Sequence, residues 1–259
     1  MTARIAARTV VEAFLPLRGE VPLERVYDTA NAVGIEDQPL RLAIRRMEAA
    51  GEVRQHGRGR SGSLVLTALG RERIERDQVA IDLAVAQDAG ARGWDGAWRF
   101  FAVSAPEAER AVRDRLRRDL LRSGAAALST GSFLSPHDLR AFLPAWSVPR
   151  VVSATMTDLD VRGVRDPAAI AELLWPAASI DAGYDVIERA LAQDDPSAPA
   201  DVRRLLLADA LENALRDDPL VPPELRRSPW RPTLIRRRWL RRWAEIGSAG
   251  AYAAWSVGA

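Results

Sequence analysis

The chain has 259 residues, enough for two or three domains of ordinary size. Its 47% apolar and 28% charged residues are those of a globular protein, and no stretch approaches the length of an uncharged spanning helix, so disordered and membrane classes are excluded. Against 35 acidic side chains stand 37 basic ones, all Arg, giving a formal charge of only +2; cysteine is absent, which excludes disulfides, thiolate metal sites and thiol nucleophiles. Any affinity for nucleic acid must therefore come from how charge is distributed. The N-terminus lacks the apolar core of a signal peptide, so a cytoplasmic location is expected.

Residues 4–16 place Ile5, Val10, Val11, Phe14 and Leu15 on one side of a first helix that ends near Pro16 and Gly19. Leu23, Val26, Tyr27 and Ala30 give a second helix starting beside Pro22, closed by the turn Asn31 to Gly34. A third begins at Asp37: Leu40, Ile44 and Met47 form its apolar stripe, Arg41, Arg45 and Glu48 lie on another, and Gly51 closes it. The segment from Glu52 to Thr67 has β-compatible ends around a middle rich in Gly and Arg, as a hairpin with a flexible tip requires. Helix, helix, turn, helix and hairpin together predict a winged helix-turn-helix over residues 1–75. Residues 76–93 read as a charged linker helix, with Gly90 and Gly93 at the next boundary.

Ala97 to Ser104 is an apolar run of strand length. Ser104 and Glu107 have capping-box spacing around Pro106, ahead of a helix with Val112, Leu116 and Leu120 on its buried side and a stop near Gly124. Ala125–Ser129 and Ser132–Leu134 read as strands, Ser135 as the cap of a small helix through Phe142, and Val148–Leu159 as strand again. The order β, α, β, β, α, β predicts a ferredoxin-like domain over residues 94–165. Beyond Asp166 the pattern is helical to the end, with stripes at Ile170, Leu173 and Leu174, at Tyr184, Ile187 and Leu191, and at Val202, Leu205, Leu206 and Leu211. The expected fold class is thus α+β and mainly helical, with a helical C-terminal domain over residues 166–259.

A helix that enters the major groove needs long polar side chains to reach base edges. Gln38, Arg41 and Arg45 meet that need on the third helix, and Arg46 at its flank suits a phosphate contact. At the hairpin tip Arg58, Arg60 and Ser61 offer donors for phosphate or a narrow minor groove, with Arg54 and His56 as lesser candidates. The competing readings are a solvated helix face and a polar turn; the adjacency of helix and hairpin favours DNA. For catalysis the inventory is poor. His56 and His137 are the only imidazoles, no nucleophile, phosphate-loop or paired metal spacing occurs, and no cofactor is expected. His137 reads as the first turn of a short helix, Asp194 and Asp195 as solvated charges in a turn. Trp94, Trp98, Trp146 and Trp175 read mostly as core. Arg99, Arg113 and Arg117 are candidate phosphate contacts, but Arg113 and Arg117, at ordinary i,i+4 spacing, read rather as an exposed helical face. The run Arg236–Arg242 is the densest basic stretch and reads as a solvated helix face.

Several blocks in this order resemble the PaaX family of repressors of phenylacetate and related aromatic catabolism. They are Pro39-Leu-Arg-Leu-Ala-Ile-Arg-Arg-Met47, Leu66-Thr-Ala-Leu-Gly70, Trp94-Asp-Gly-Ala-Trp-Arg99 with Ala105-Pro-Glu107, Leu134-Ser-Pro136, Trp175 to Tyr184, and Asp218-Pro-Leu-Val-Pro-Pro-Glu-Leu225. The resemblance implies a winged helix, a central fold similar to a small CRISPR-associated nuclease, a helical C-terminal domain, a homodimer on double-stranded operator DNA, and release by an aryl-coenzyme A thioester such as phenylacetyl-coenzyme A. It assigns no effector-binding residue here. A nuclease reading of the central domain would want carboxylates at the end of its first strand, where this sequence has Ser104. A protein-interaction module without DNA is the other alternative.

Overall fold

In the computed structural model, residues 5–106, 109–140, 143, 145–247 and 251–252 are described. The protein is α+β and mainly helical, with two small antiparallel sheets. It divides into two compact units. The first is built from the chain up to Asp82, Val186–Asn213 and the part from Ile235 onward; the second from Leu83–Asp185 and Ala214–Leu234.

The first unit opens with α1 (Ala7–Phe14), β1 (Glu20–Pro22), α2 (Leu23–Ala32) and α3 (Asp37–Ala49). The apolar spacing of each helix becomes its buried side: Val10, Val11 and Phe14, then Leu23, Val26, Tyr27 and Ala30, then Leu40, Ile44 and Met47. The hairpin follows as β2 (Val53–His56) and β3 (Ser63–Leu66), joined by a 3-10 turn over Gly59–Ser61. β1 was not expected. It pairs antiparallel with β3, Val21 opposite Leu64, so that the hairpin becomes a three-stranded sheet of order β1-β3-β2. Three residues between Gly19 and Pro22 carry too little alternation to announce a strand.

The long helix α4 (Ala68–Asp88) starts on Thr67, whose Oγ1 accepts from the Gly70 amide at 3.1 Å and donates to the Gly51 carbonyl at 2.6 Å. A Cβ on Gly70 would stand 2.0 Å from the Glu52 carbonyl oxygen, so the helix approaches the hairpin base as closely as only glycine permits. Arg8, Glu12, Glu52 and Arg73 then form one ion-pair cluster tying α1 and α4 to that base.

The second unit contains β4 (Trp98–Val103), α5 (Arg110–Arg122), β5 (Ala126–Ser129), β6 (Ser132–Ser135) and β7 (Val151–Met156). The sheet order is β5-β6-β4-β7, all antiparallel, so β4 and β5 flank the strand inserted between them as in a split βαβ unit. Phe101, Leu120, Ala125, Phe133 and Leu139 make its core.

Three local expectations fail here. Ser104 does not cap α5: its amide donates to the Arg150 carbonyl and prolongs the β4–β7 ladder, and the residue before the helix is Glu109, while Glu107 lies outside the described residues. Ser135 is a buried strand end whose Oγ accepts from the His137 amide, so Pro136 and His137 form a bend and not a helix start; Phe142 lies outside the described residues. Val148 belongs to a 3-10 segment, Ala145–Arg150, and the strand begins only at Val151 because Pro149 has no amide for the ladder.

The remaining helices are α6 (Pro167–Leu174), α7 (Ala177–Gly183), α8 (Asp185–Gln193), α9 (Ala200–Leu215) and α10 (Arg231–Ile246). Asp166 caps α6 by accepting from the Ala169 amide at 2.8 Å. Leu173 and Leu206, expected in buried stripes, are exposed, and Leu207 and Ala208 are buried in the latter's place. Asp194 is not a solvated charge. It is nearly inaccessible and receives both Nε and Nη2 of Arg203 at 2.8 Å, with Arg242 at 3.4 Å. Nor is the Arg236–Arg242 run a uniformly solvated face: Arg236 and Trp239 are buried, and the Trp239 indole donates to the Leu207 carbonyl. A helix with charges all round still has to turn one side inward.

Candidate nucleic-acid interface

The helix α3 presents two opposite faces. Leu40, Ile44 and Met47 are each at most 2% exposed, while Gln38, Arg41, Arg45 and Arg46 all lie on the exposed part of the same helix. Arg41 leans back along the helix, its Nε donating to the Asp37 carbonyl at 3.3 Å. Leu42 is exposed among these residues as well. The signal that would have found it is its place between Gln38 and Arg45, one turn from each.

The turn of the hairpin separates its two arginines. Arg58 is exposed, and its carbonyl accepts from Ser61 Oγ at 3.1 Å. Arg60 is folded inward: Nη1 meets Asp28 at 2.6 Å, Nη2 meets Asn31 Oδ1 at 2.5 Å and Asp37 at 3.2 Å, and the guanidinium lies 5.2 Å from the Tyr27 ring centroid. The Asn31 amide also donates to Asp37 and to the Ile35 carbonyl. Asn31 first, and then Arg60, hold the Asp37 carboxyl below the usual aspartate range, and burial pushes the Tyr27 phenol up. One fork thus joins the hairpin turn to α2 and to the first turn of α3. At the other end of α3, Glu48 Oε1 accepts from the Gln55 amide at 3.2 Å and fixes the start of the hairpin. Of the lesser candidates, Arg54 is exposed and His56 stands 3.6 Å from Glu20.

In the second unit the quoted sequence blocks meet as structural staples. Trp98 is buried between Trp94, 5.3 Å away, and Trp175, stacked at 6.2 Å. The Trp175 indole donates to the Gly124 carbonyl at 3.1 Å; Gly124, at φ +87°, passes Pro219 so closely that a Cβ would stand 3.0 Å from it. Tyr184 Oη donates to Asp218 at 2.5 Å, and the Trp94 amide donates to Glu224 at 2.9 Å. The Leu220 carbonyl accepts from Gln87 Nε2 at 2.8 Å and from His137 Nε2 at 2.7 Å, a bond that requires the Nε2-protonated tautomer; burial holds the His137 imidazole below its ordinary pKa. Arg99 is taken by Asp95 and the Ala97 carbonyl, and Trp146 lies under Arg115. Arg117 is exposed and Arg113 half-buried on α5.

Among the described residues no three His, Asp or Glu side chains stand together as metal ligands. At the end of β4 the described residues do not fit a divalent cation: Ser104 follows the strand, and Glu109 is held below the usual glutamate range by its hydrogen bond from Arg150 at 2.8 Å. No helix among the described residues is long and apolar enough to cross a membrane.

The second unit therefore defines an α+β class in which an antiparallel split βαβ sheet is locked by tryptophan and proline corners. Residues 91–153 match the family model described as the PaaX protein central Cas2-like domain, the family that the sequence blocks resemble. No curated protein matches the chain. Among solved structures it is similar to the uncharacterized protein Rv0674 from Mycobacterium tuberculosis, with 21% identity, a TM-score of 0.56 and 92% of each chain covered, a likeness of fold.

Proposed function

We propose that the protein is a sequence-specific DNA-binding transcriptional regulator of PaaX type. The observation that carries this reading is α3, which buries one stripe of three apolar residues and leaves Gln38, Arg41, Arg45 and Arg46 facing outward directly ahead of an Arg-bearing hairpin. In this reading residues 1–75 are the winged-helix head, 76–93 the linker helix, 94–165 the ferredoxin-like centre and 166–259, whose segments are shared between the two compact units, the helical regulatory part. α3 is the recognition helix and β2–β3 the wing. Gln38, Arg41 and Arg45 read base edges, Arg46 and Arg58 meet phosphates, and Ser61 donates from the wing turn. Arg60, 43% exposed while bonded to Asp28, Asn31 and Asp37, positions the wing and meets DNA from its turn.

Two copies grip symmetric half-sites one helical turn apart, about 34–36 Å, or a multiple of it, and repress by occluding a promoter. An aryl-coenzyme A thioester such as phenylacetyl-coenzyme A releases the operator by favouring a state whose heads no longer match the half-sites. The protein is not an enzyme in this reading, and no cofactor takes part. The test is a titration of the purified protein on the DNA upstream of its own gene, with excess random competitor. Retention against competitor, and loss of binding on adding the thioester, is the expected result. Binding no better than to random DNA overturns the reading, and indifference to every acyl-coenzyme A thioester overturns its effector part.

A further inference from the structure

The outward face of α3 is not purely polar. At about 100° per residue, the direction opposite the buried stripe of Leu40, Ile44 and Met47 falls on Leu42 and Ala49, with Gln38 and Arg45 beside them. Arg41 and Arg46 lie on the two shoulders of that face, and Arg41 is hydrogen-bonded back to the Asp37 carbonyl. Leu42 is 46% exposed, and Ala49 is exposed as well. A helix laid in a major groove puts its outermost residue deepest, where the edge of every base pair is presented. At that depth the apolar feature offered by DNA is the 5-methyl group of thymine, the one base-edge group that a branched aliphatic side chain complements and that water serves poorly.

We infer that Leu42 is a specificity-determining residue that reads a thymine methyl group, with Gln38 and Arg45 reading the neighbouring base pairs. This inference rests on the proposed DNA-binding function. Replacing thymine by uracil removes the methyl group and leaves every hydrogen-bonding atom in place, so it isolates the contact.

The experiment first enriches a bound duplex from a random pool with the full-length protein. It then measures binding to versions of that duplex carrying a single thymine-to-uracil change, for the wild type and for Leu42→Ala. Because Leu42 is exposed, the variant keeps the fold, and an unchanged circular dichroism melt checks this. The wild type is expected to lose roughly fourfold in affinity at one thymine per half-site, the equivalent of burying one methyl group at about 0.8 kcal/mol. Leu42→Ala is expected to bind the parent duplex about as weakly as the wild type binds a duplex with uracil at that thymine in both half-sites, and to be indifferent to uracil there. A wild type insensitive to uracil at every thymine, or a variant as sensitive as the wild type, overturns the inference and leaves the DNA-binding function standing. Failure of the wild type to enrich any duplex overturns both.

Discussion

Arg58 and Arg60 stand two residues apart on one turn, and the structure treats them in opposite ways. Arg58 projects from the turn, whereas Arg60 spends its fork on Asp28, Asn31 and Asp37 and lies against Tyr27. A lysine could not bridge those acceptors, because its single ammonium has no fork. We therefore expect Arg60→Ala to keep its circular dichroism spectrum yet lose affinity for specific and random DNA alike, and Arg60→Lys not to restore it. Wild-type affinity in Arg60→Ala would remove the positioning role. On α3 the consequences separate differently. Arg41→Ala and Arg45→Ala should each cost about 1–3 kcal/mol at the preferred site and relax base preference, while Arg46→Ala weakens binding to all duplexes by a similar factor. Equal losses on preferred and random DNA for all three would contradict the division between base and phosphate contacts.

At the level of elements, two close contacts set the geometry. The Thr67 cap and Gly70 bring α4 against the Glu52 carbonyl, so Gly70→Ala has no room for its methyl group. A loss of about 1–3 kcal/mol in urea unfolding is expected from such overpacking, and a neutral result would show that the hairpin base yields freely. In the second unit His137 is buried on the Leu220 carbonyl with its pKa lowered. The unfolded chain binds this proton more readily than the folded one, so stability falls as pH drops below the ordinary histidine value of 6.5 and levels off only below the folded value. His137→Gln, which keeps a donor for the carbonyl, should flatten that part of the pH–stability curve; an unchanged curve would assign the slope to other groups.

These elements also show which parts of the fold were legible beforehand. The second and third helices and the hairpin formed within a residue or two of their expected bounds, and the first, Ala7–Phe14, is shorter than the 4–16 expected. β1 and the enclosure of Asp194 depend on partners outside their own elements, β3 for the first and Arg203 for the second. No local pattern announces such pairings. In the candidate site the exposure of Gln38, Arg41, Arg45 and Arg46 followed from the helix period, whereas the docking of Arg60 required knowing that α2 and α3 bring Asp28, Asn31 and Asp37 to one place.

Taken as a whole, the molecule carries a near-neutral charge, so any attraction to DNA has to come from one face and not from the net field. That makes the ratio of specific to random affinity the informative quantity, together with its dependence on salt. The central claim is that α3 reads sequence. It is tested most directly by fluorescence anisotropy with the full-length protein on its enriched duplex and on a shuffled duplex, at two salt concentrations, for the wild type and Arg45→Ala. The account predicts a large wild-type preference for the enriched duplex, affinities for both duplexes that fall as salt rises, and a preference that shrinks sharply in Arg45→Ala while shuffled-duplex binding changes little. A wild type that binds both duplexes equally, or an Arg45→Ala that keeps the full preference, would contradict it.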